Sequence, residues 1–294
     1  MKQVLFDSEG RMRSGFQILL AMVALLLSQL IPGFVVRLLG GGMLPYLVAF
    51  LLQTAVAVIL YAVLFRTAFK NQNTASMDCF RFSGRGLLHL LVGLGLGIAA
   101  FSLSVLPLYV SGQYTIAFRG AGADVLAVGF AQFIAVGYAE ELLTRGAMQH
   151  ALMRFGKWIS LAIVSAIFGL LHLANNGVTV FSILGIVLAG LVLGLGMYAT
   201  NSIMLPVGFH ITWNWVQGFV YGIPVSGGRV EQSVFVTTFV GENGIITGGE
   251  FGTEASLVCH IVLILFCVGF FLHGKKKGSF ALYDEDKQAQ KQSM

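Results

Sequence analysis

Three clusters of polar side chains interrupt long apolar runs in this 294-residue chain. Glu140 and Glu141 lie in Ala139-Glu140-Glu141-Leu142-Leu143-Thr144-Arg145. His172 closes Phe168-Gly169-Leu170-Leu171-His172. His210 and Asn214 are four apart in His210-Ile211-Thr212-Trp213-Asn214. Ionisable groups at bilayer depth cost roughly 2.5–3.5 kcal/mol or more each, so they face one another and carry function. Glu141 and Arg145 share a helix face in the orientation that favours an ion pair. Glu140 lies about 100° around the same helix and is left for chemistry. A carboxylate with an imidazole can activate water. A second imidazole with an amide can donate hydrogen bonds to a developing oxyanion. Together these suffice to hydrolyse a peptide or ester bond. The donor set Glu140, His172 and His210 also allows a zinc ion that activates the water. The His-Glu-x-x-His helix of common zinc peptidases is absent, and nothing frames a serine nucleophile.

The elements that must position these residues are helices in a membrane. The chain is 56% hydrophobic and 11% charged, against roughly 25% charged in soluble domains. An all-α polytopic bundle is expected, and its net charge of +5 is no nucleic-acid signal because the basic residues are scattered between apolar runs. A span needs about 20 apolar residues. Eight candidates satisfy or approach this: 16–36, 43–65, 87–110, 124–144, 158–174, 178–199, 203–220 and 255–273. The fourth continues past Arg145 to about Met153. The fifth and seventh are short and need protein neighbours. With eight spans and the N-terminus inside, fifteen Lys and Arg fall on one side and only Arg37, Arg119 and Arg229 on the other. That asymmetry places both termini in the cytoplasm.

The expected organisation is an interfacial N-terminal segment over 1–15, one transmembrane domain over 16–273 and a disordered basic tail over 274–294. The polar motifs occupy a core at 125–220. Residues 221–252 hold eight glycines and an alternating run, Ser233 to Val240, before Glu242-Asn243-Gly244. An outer-face loop or short hairpin is expected there. Lys275-Lys276-Lys277 fits either anionic lipid headgroups or a plain stop-transfer anchor. Gly93-x-x-x-Gly97 and Gly190-x-x-x-Gly194 are spacings that let helices approach. Pro206 fits the first turn of the helix carrying His210. His89, His260 and His273 have no polar partner at helical spacing, and His150 is expected to be solvated. Trp213 and Trp215 fit site wall and ordinary packing equally. Cys259 and Cys267 read as buried thiols, and the three cysteines, with Cys79, form no metal or disulfide framework.

The three motifs occur in order as Glu140-Glu141-x-x-x-Arg145, Phe168-x-x-x-His172 and His210-x-x-x-Asn214. In this the chain resembles the CAAX-protease and bacteriocin-processing family, the type II CAAX prenyl endopeptidases and their prokaryotic relatives. Ser202-Ile-Met-Leu-Pro206 and the segment Gly248 to Ser256 also look like that family, and Arg11-Met-Arg13 does so more weakly. The resemblance implies an intramembrane endopeptidase of the cell membrane. By it, Glu140 and His172 would activate the water, and His210 with Asn214 would stabilise the oxyanion. Glu141 and Arg145 would hold the fourth helix. The substrate would be a membrane protein or lipid-anchored peptide, with the site nearer the cytoplasmic half. Zinc stays open, since the family is often described as metal-dependent. Two other readings stand beside this one: a non-catalytic adaptor or bacteriocin-immunity regulator of the same family, and a proton-coupled transporter. The transporter ranks last because the halves show no internal repeat.

Overall fold

Apolar runs become helices in the computed structural model, which describes residues 5–6, 12–68, 83–241 and 243–284. The first run is α1 (Ser14–Gln29) and α2 (Ile31–Leu39), broken at Leu30 with Pro32 in the opening turn of α2. There follow α3 (Met43–Thr67), α4 (Gly84–Val110) and strand β1 (Tyr114–Phe118). Helix α5 (Ala123–Glu141) passes through a π-helical segment, Leu142–Met148, into α6 (Gln149–Ala151). Then come α7 (Lys157–Leu170), α8 (Val180–Thr200) and α9 (Met204–Trp215), the last widening into a second π segment, Val216–Val220. Strand β2 (Phe235–Phe239), the short α10 (Gly244–Thr247) and α11 (Leu257–Lys277) follow. Among the described residues six stretches are long and apolar enough to cross a membrane: Ser14–Leu39, Met43–Thr67, Gly84–Val110, Ala123–Ala151, Val180–Thr200 and Leu257–Lys277. The molecule is an all-α, multi-pass membrane protein.

The two short expected spans are α7 and α9. α9 can be short because it lies inside the bundle: every residue from Met204 to Asn214 is buried. A helix apolar all round belongs inside a bundle, and α9 packs against α4, α5 and α8. Gly93 and Gly97 make the closest of these contacts. A Cβ on Gly93 would strike the Leu205 carbonyl, and one on Gly97 the Phe209 carbonyl. The small-residue spacing is thus the α4–α9 interface. Leu26, Leu30 and Leu44 on the peripheral helices point outward, as a lipid-facing surface requires.

Side-chain bonds between elements define the two ends of the bundle. At one end Ser14 donates to the Ala151 carbonyl at 2.8 Å, Tyr198 to the Lys157 carbonyl at 3.2 Å and Tyr283 to Asn201 Oδ1 at 2.9 Å. At the other, the Arg119 N–H bonds the Val234 carbonyl at 2.8 Å and the Gly227 N–H bonds the Phe251 carbonyl at 2.8 Å. We call these the Lys157 end and the Glu254 end.

Two expectations need correction here. The alternating run does form a strand, but β2 pairs antiparallel with β1, from Tyr114 opposite Phe239 to Phe118 opposite Phe235. It does not make a local hairpin. Asn243 instead caps α10, accepting the Ile245 N–H at 3.0 Å, so the chain after the strand turns helical and offers no partner. The tail does not begin at Gly274 either. α11 runs on to Lys277, and Tyr283 is fully buried against Tyr198. Lys157 pairs with Asp284 at 2.5 Å. Expectations resting on Arg11, Cys79, Glu242 and the residues after Asp284 lie outside the described residues.

Candidate active site

Four of the polar residues line one cavity of ≈ 250 Å³: Glu140, His172, His210 and Asn214. Its walls are Phe133, Phe168, Leu193, Phe209 and Trp213, with Asn175, Ser226, Arg229 and Glu254 toward the Glu254 end. Each motif reaches it through an irregularity of the helix that carries it. The Glu140-Glu141 pair directly precedes the first π segment, and Asn214 lies just before the second. Single π turns inside α-helices recur at functional sites, because the wider turn re-aims the side chains around it. His172 lies beyond the end of α7 rather than in it. The helix stops at Leu170, and the His172 N–H turns back to the Gly169 carbonyl at 3.1 Å. The Phe168 carbonyl is thereby free to accept from His172 Nδ1 at 2.8 Å, which satisfies an orphan helix-end acceptor.

These partners fix which ring nitrogen does what. A carbonyl only accepts, so His172 carries its proton on Nδ1 and its Nε2 bears the lone pair. His210 Nδ1 lies 2.9 Å from Glu141 Oε1. An ionised carboxylate also only accepts, so Nδ1 donates there and Nε2 is the nitrogen that faces Glu140. Nε2 stands 3.9 Å from Glu140 Oε2, too far for a direct hydrogen bond. Glu140 Oε2 is buried and makes no hydrogen bond within the protein, while the side chain as a whole keeps 26% exposure. It is a carboxylate oxygen free to take a proton.

Glu141 and Arg145 pair as their spacing required. Arg145 Nη1 donates to Glu141 Oε1 at 2.9 Å, and both side chains are 0% exposed. The guanidinium also donates to Thr144 Oγ1 at 2.7 Å and to the Gly190 carbonyl at 3.0 Å, and lies 4.7 Å over the Phe168 ring. Phe168 in turn meets His172 and His210 edge to face at 5.0 and 6.1 Å. The sequence spacing could not show that Glu141 also orients His210, across 69 residues. Glu141 serves both helix and site.

Glu254 was read only as part of a family-like segment, yet it lines the same cavity. Its Oε2 accepts the Ser226 N–H at 2.6 Å and the Gln217 amide at 3.2 Å, and the Ser226 hydroxyl reaches Oε1 at 3.1 Å. Ser226 holds a left-handed φ of 45° to do this, a strained conformation for a non-glycine residue. Asn175 donates to the Ser226 carbonyl at 2.8 Å, latching the His172 turn to this loop. Burial pushes the Glu254 carboxyl above its ordinary range, against the pull of the Ser226 and Gln217 donors. An acid among glycines just before an apolar run was the only signal in the sequence.

The other residues settle simply. Trp213 lines the cavity, whereas Trp215 turns away to bond the Leu126 carbonyl at 3.1 Å and pack on Phe130. His150 is buried, not solvated, because α6 is covered by α1 and α7. His260 is buried against Phe181, ring centroids 4.2 Å apart. Glu140, His172 and His210 do not form the zinc set that their types allowed. Among the described residues no three His, Cys, Asp or Glu side chains stand in metal-binding arrangement.

Residues 122–216 match the family Rce1-like, described as type II CAAX prenyl endopeptidase Rce1-like. The match spans Glu140, Glu141, Arg145, His172, His210 and Asn214, so the resemblance carried by the three motifs is shown over that region. No curated protein and no solved structure matches the chain.

Proposed function

We propose that the protein is an intramembrane endopeptidase that hydrolyses a peptide bond of a membrane-associated polypeptide with a glutamate- and histidine-activated water. The observation that carries this is the convergence of Glu140, His172, His210 and Asn214 on one cavity, within the region that matches a prenyl endopeptidase family. Glu140 is the base. Its free Oε2 takes the proton of a water that His172 Nε2 orients as acceptor. The hydroxide adds to the scissile carbonyl carbon. His210, protonated on both nitrogens between Glu141 and Glu140, donates from Nε2 to the oxyanion as it forms, beside the Asn214 amide. The proton held on Glu140 then passes to the leaving amine, and the tetrahedral intermediate collapses to a carboxylate and an amine. Phe133, Phe209 and Trp213 supply an apolar wall suited to a lipid-exposed or lipidated segment.

The test compares membrane peptides from cells expressing the wild type, Glu140→Gln or His172→Ala at matched levels. The expected outcome is a polypeptide that accumulates uncleaved in both variants. Indistinguishable peptide profiles would overturn the hydrolase reading and favour an adaptor that keeps the polar cluster for stability.

A further inference from the structure

The loop segments that border the cavity lie at one end of the bundle, and their position points to the side from which a substrate comes. Every inter-helix segment that lines the cavity belongs to the Glu254 end: Asn175 from the α7–α8 turn, Ser226 and Arg229 from the segment after α9, and Glu254 itself. The connections at the Lys157 end, residues 152–156 and 201–203, contribute nothing to the lining. On that side Arg145 lies behind the lining residue Phe168, 0% exposed, with Nη1 and Nη2 bonded to Glu141, Thr144 and the Gly190 carbonyl.

The basic residues mark the opposite end from the mouth. Lys157 and Lys275 to Lys277 stand at the closed end, with Arg13 and Arg154 joined to it through Ser14 and Ala151. Arg119, bonded to Val234, and Arg229 stand at the open end. Short connections rich in Lys and Arg stay in the cytoplasm. We infer that the cavity opens to the non-cytoplasmic face and takes polypeptide segments presented there, at or just within the outer membrane interface. This rests on the hydrolase reading for the word substrate, but its geometry does not. It reverses the expectation of a site served from the cytoplasmic half.

The experiment reads accessibility, not catalysis, so it fails or succeeds independently of the peptidase reading. In a background with Cys79, Cys259 and Cys267 replaced by alanine, single cysteines are introduced as Ala189→Cys in the cavity wall, Arg229→Cys at the mouth and Lys276→Cys at the closed end. Right-side-out and inverted membrane vesicles are treated with a small, charged, membrane-impermeant thiosulfonate. The expected result is modification of Ala189→Cys and Arg229→Cys in right-side-out vesicles only, and of Lys276→Cys in inverted vesicles only. Modification of Ala189→Cys only in inverted vesicles, or in neither, would overturn the proposal. So would Arg229→Cys and Lys276→Cys reacting from the same side. Val230→Cys, also in the lining, repeats the measurement if Ala189→Cys fails to fold.

Discussion

The cavity lies between two buried carboxylates that are kept in different ways. At its floor, behind His210, Glu141 is paired with a full counter-charge: Arg145 and His210 both donate to its Oε1 at 2.9 Å. At its roof, Glu254 is held by neutral donors, the backbone and hydroxyl of Ser226 and the amide of Gln217. A dry floor can keep a charge only by pairing it. The roof offers its carboxyl only neutral dipoles, from a strained serine and an amide, and burial there favours the protonated form. The difference separates two duties. The Glu141 side holds His210 in place, while the Glu254 side borders the loops that, on the proposed function, a substrate would pass.

Glu140 lies between the two, and its removal is the largest expected effect. Glu140→Gln keeps the shape but loses the proton acceptor, so turnover is expected to fall by about 10²–10⁴, measured as cleavage of the polypeptide that accumulates in the variant's membranes. Arg145→Ala attacks the floor. Leaving Glu141 buried and unpaired is expected to cost about 3–5 kcal/mol of stability, seen as a lower unfolding temperature in detergent; replacing both partners with apolar residues should restore part of it. If Arg145→Ala unfolds no earlier than the wild type, the floor is not the rigid element described. Asn214→Ala should leave the unfolding temperature almost unchanged and slow turnover by about 10²–10³, the usual loss for one oxyanion donor.

The roof gives the smallest effect. Glu254→Gln keeps an acceptor for Ser226 and is expected to change stability by about 1 kcal/mol. Its pH dependence is the sharper test. Burial raises the folded-state carboxyl above its ordinary 4.5, so the folded protein binds the proton more tightly than the unfolded chain. The stability Glu254 contributes is then present below pH 4.5 and is lost as pH rises through the folded value. Glu254→Gln should flatten that part of the profile. An opposite slope, with stability gained as pH rises, would mean that the roof holds its charge as firmly as the floor.

What the sequence disclosed follows from distance along the chain. Glu141 and Arg145 are four apart on one helix, so their pairing is a matter of spacing. The three motifs announced a shared site because each was too costly to leave alone in lipid. The bond from His210 to Glu141 crosses 69 residues and that from Asn175 to Ser226 crosses 51, and no local period encodes either. The pairing of β2 with β1 was hidden for the same reason: its alternation told of a strand but not of a partner. His172 was read inside a helix because apolar residues continue to Leu173, yet Leu170, Leu171 and Leu173 are exposed and serve as lipid-facing turn residues. The length of α9 became explicable only once its burial on every side was seen.

The closed floor has a further consequence, for the membrane rather than the substrate. A wet cavity that penetrates a bilayer from one face thins the insulating layer beneath it. Arg145, Glu141 and the Gly190 carbonyl are tied together with both charged side chains 0% exposed. A water-filled cavity above this neutralised pair would leave the insulating layer of the membrane unbroken beneath it.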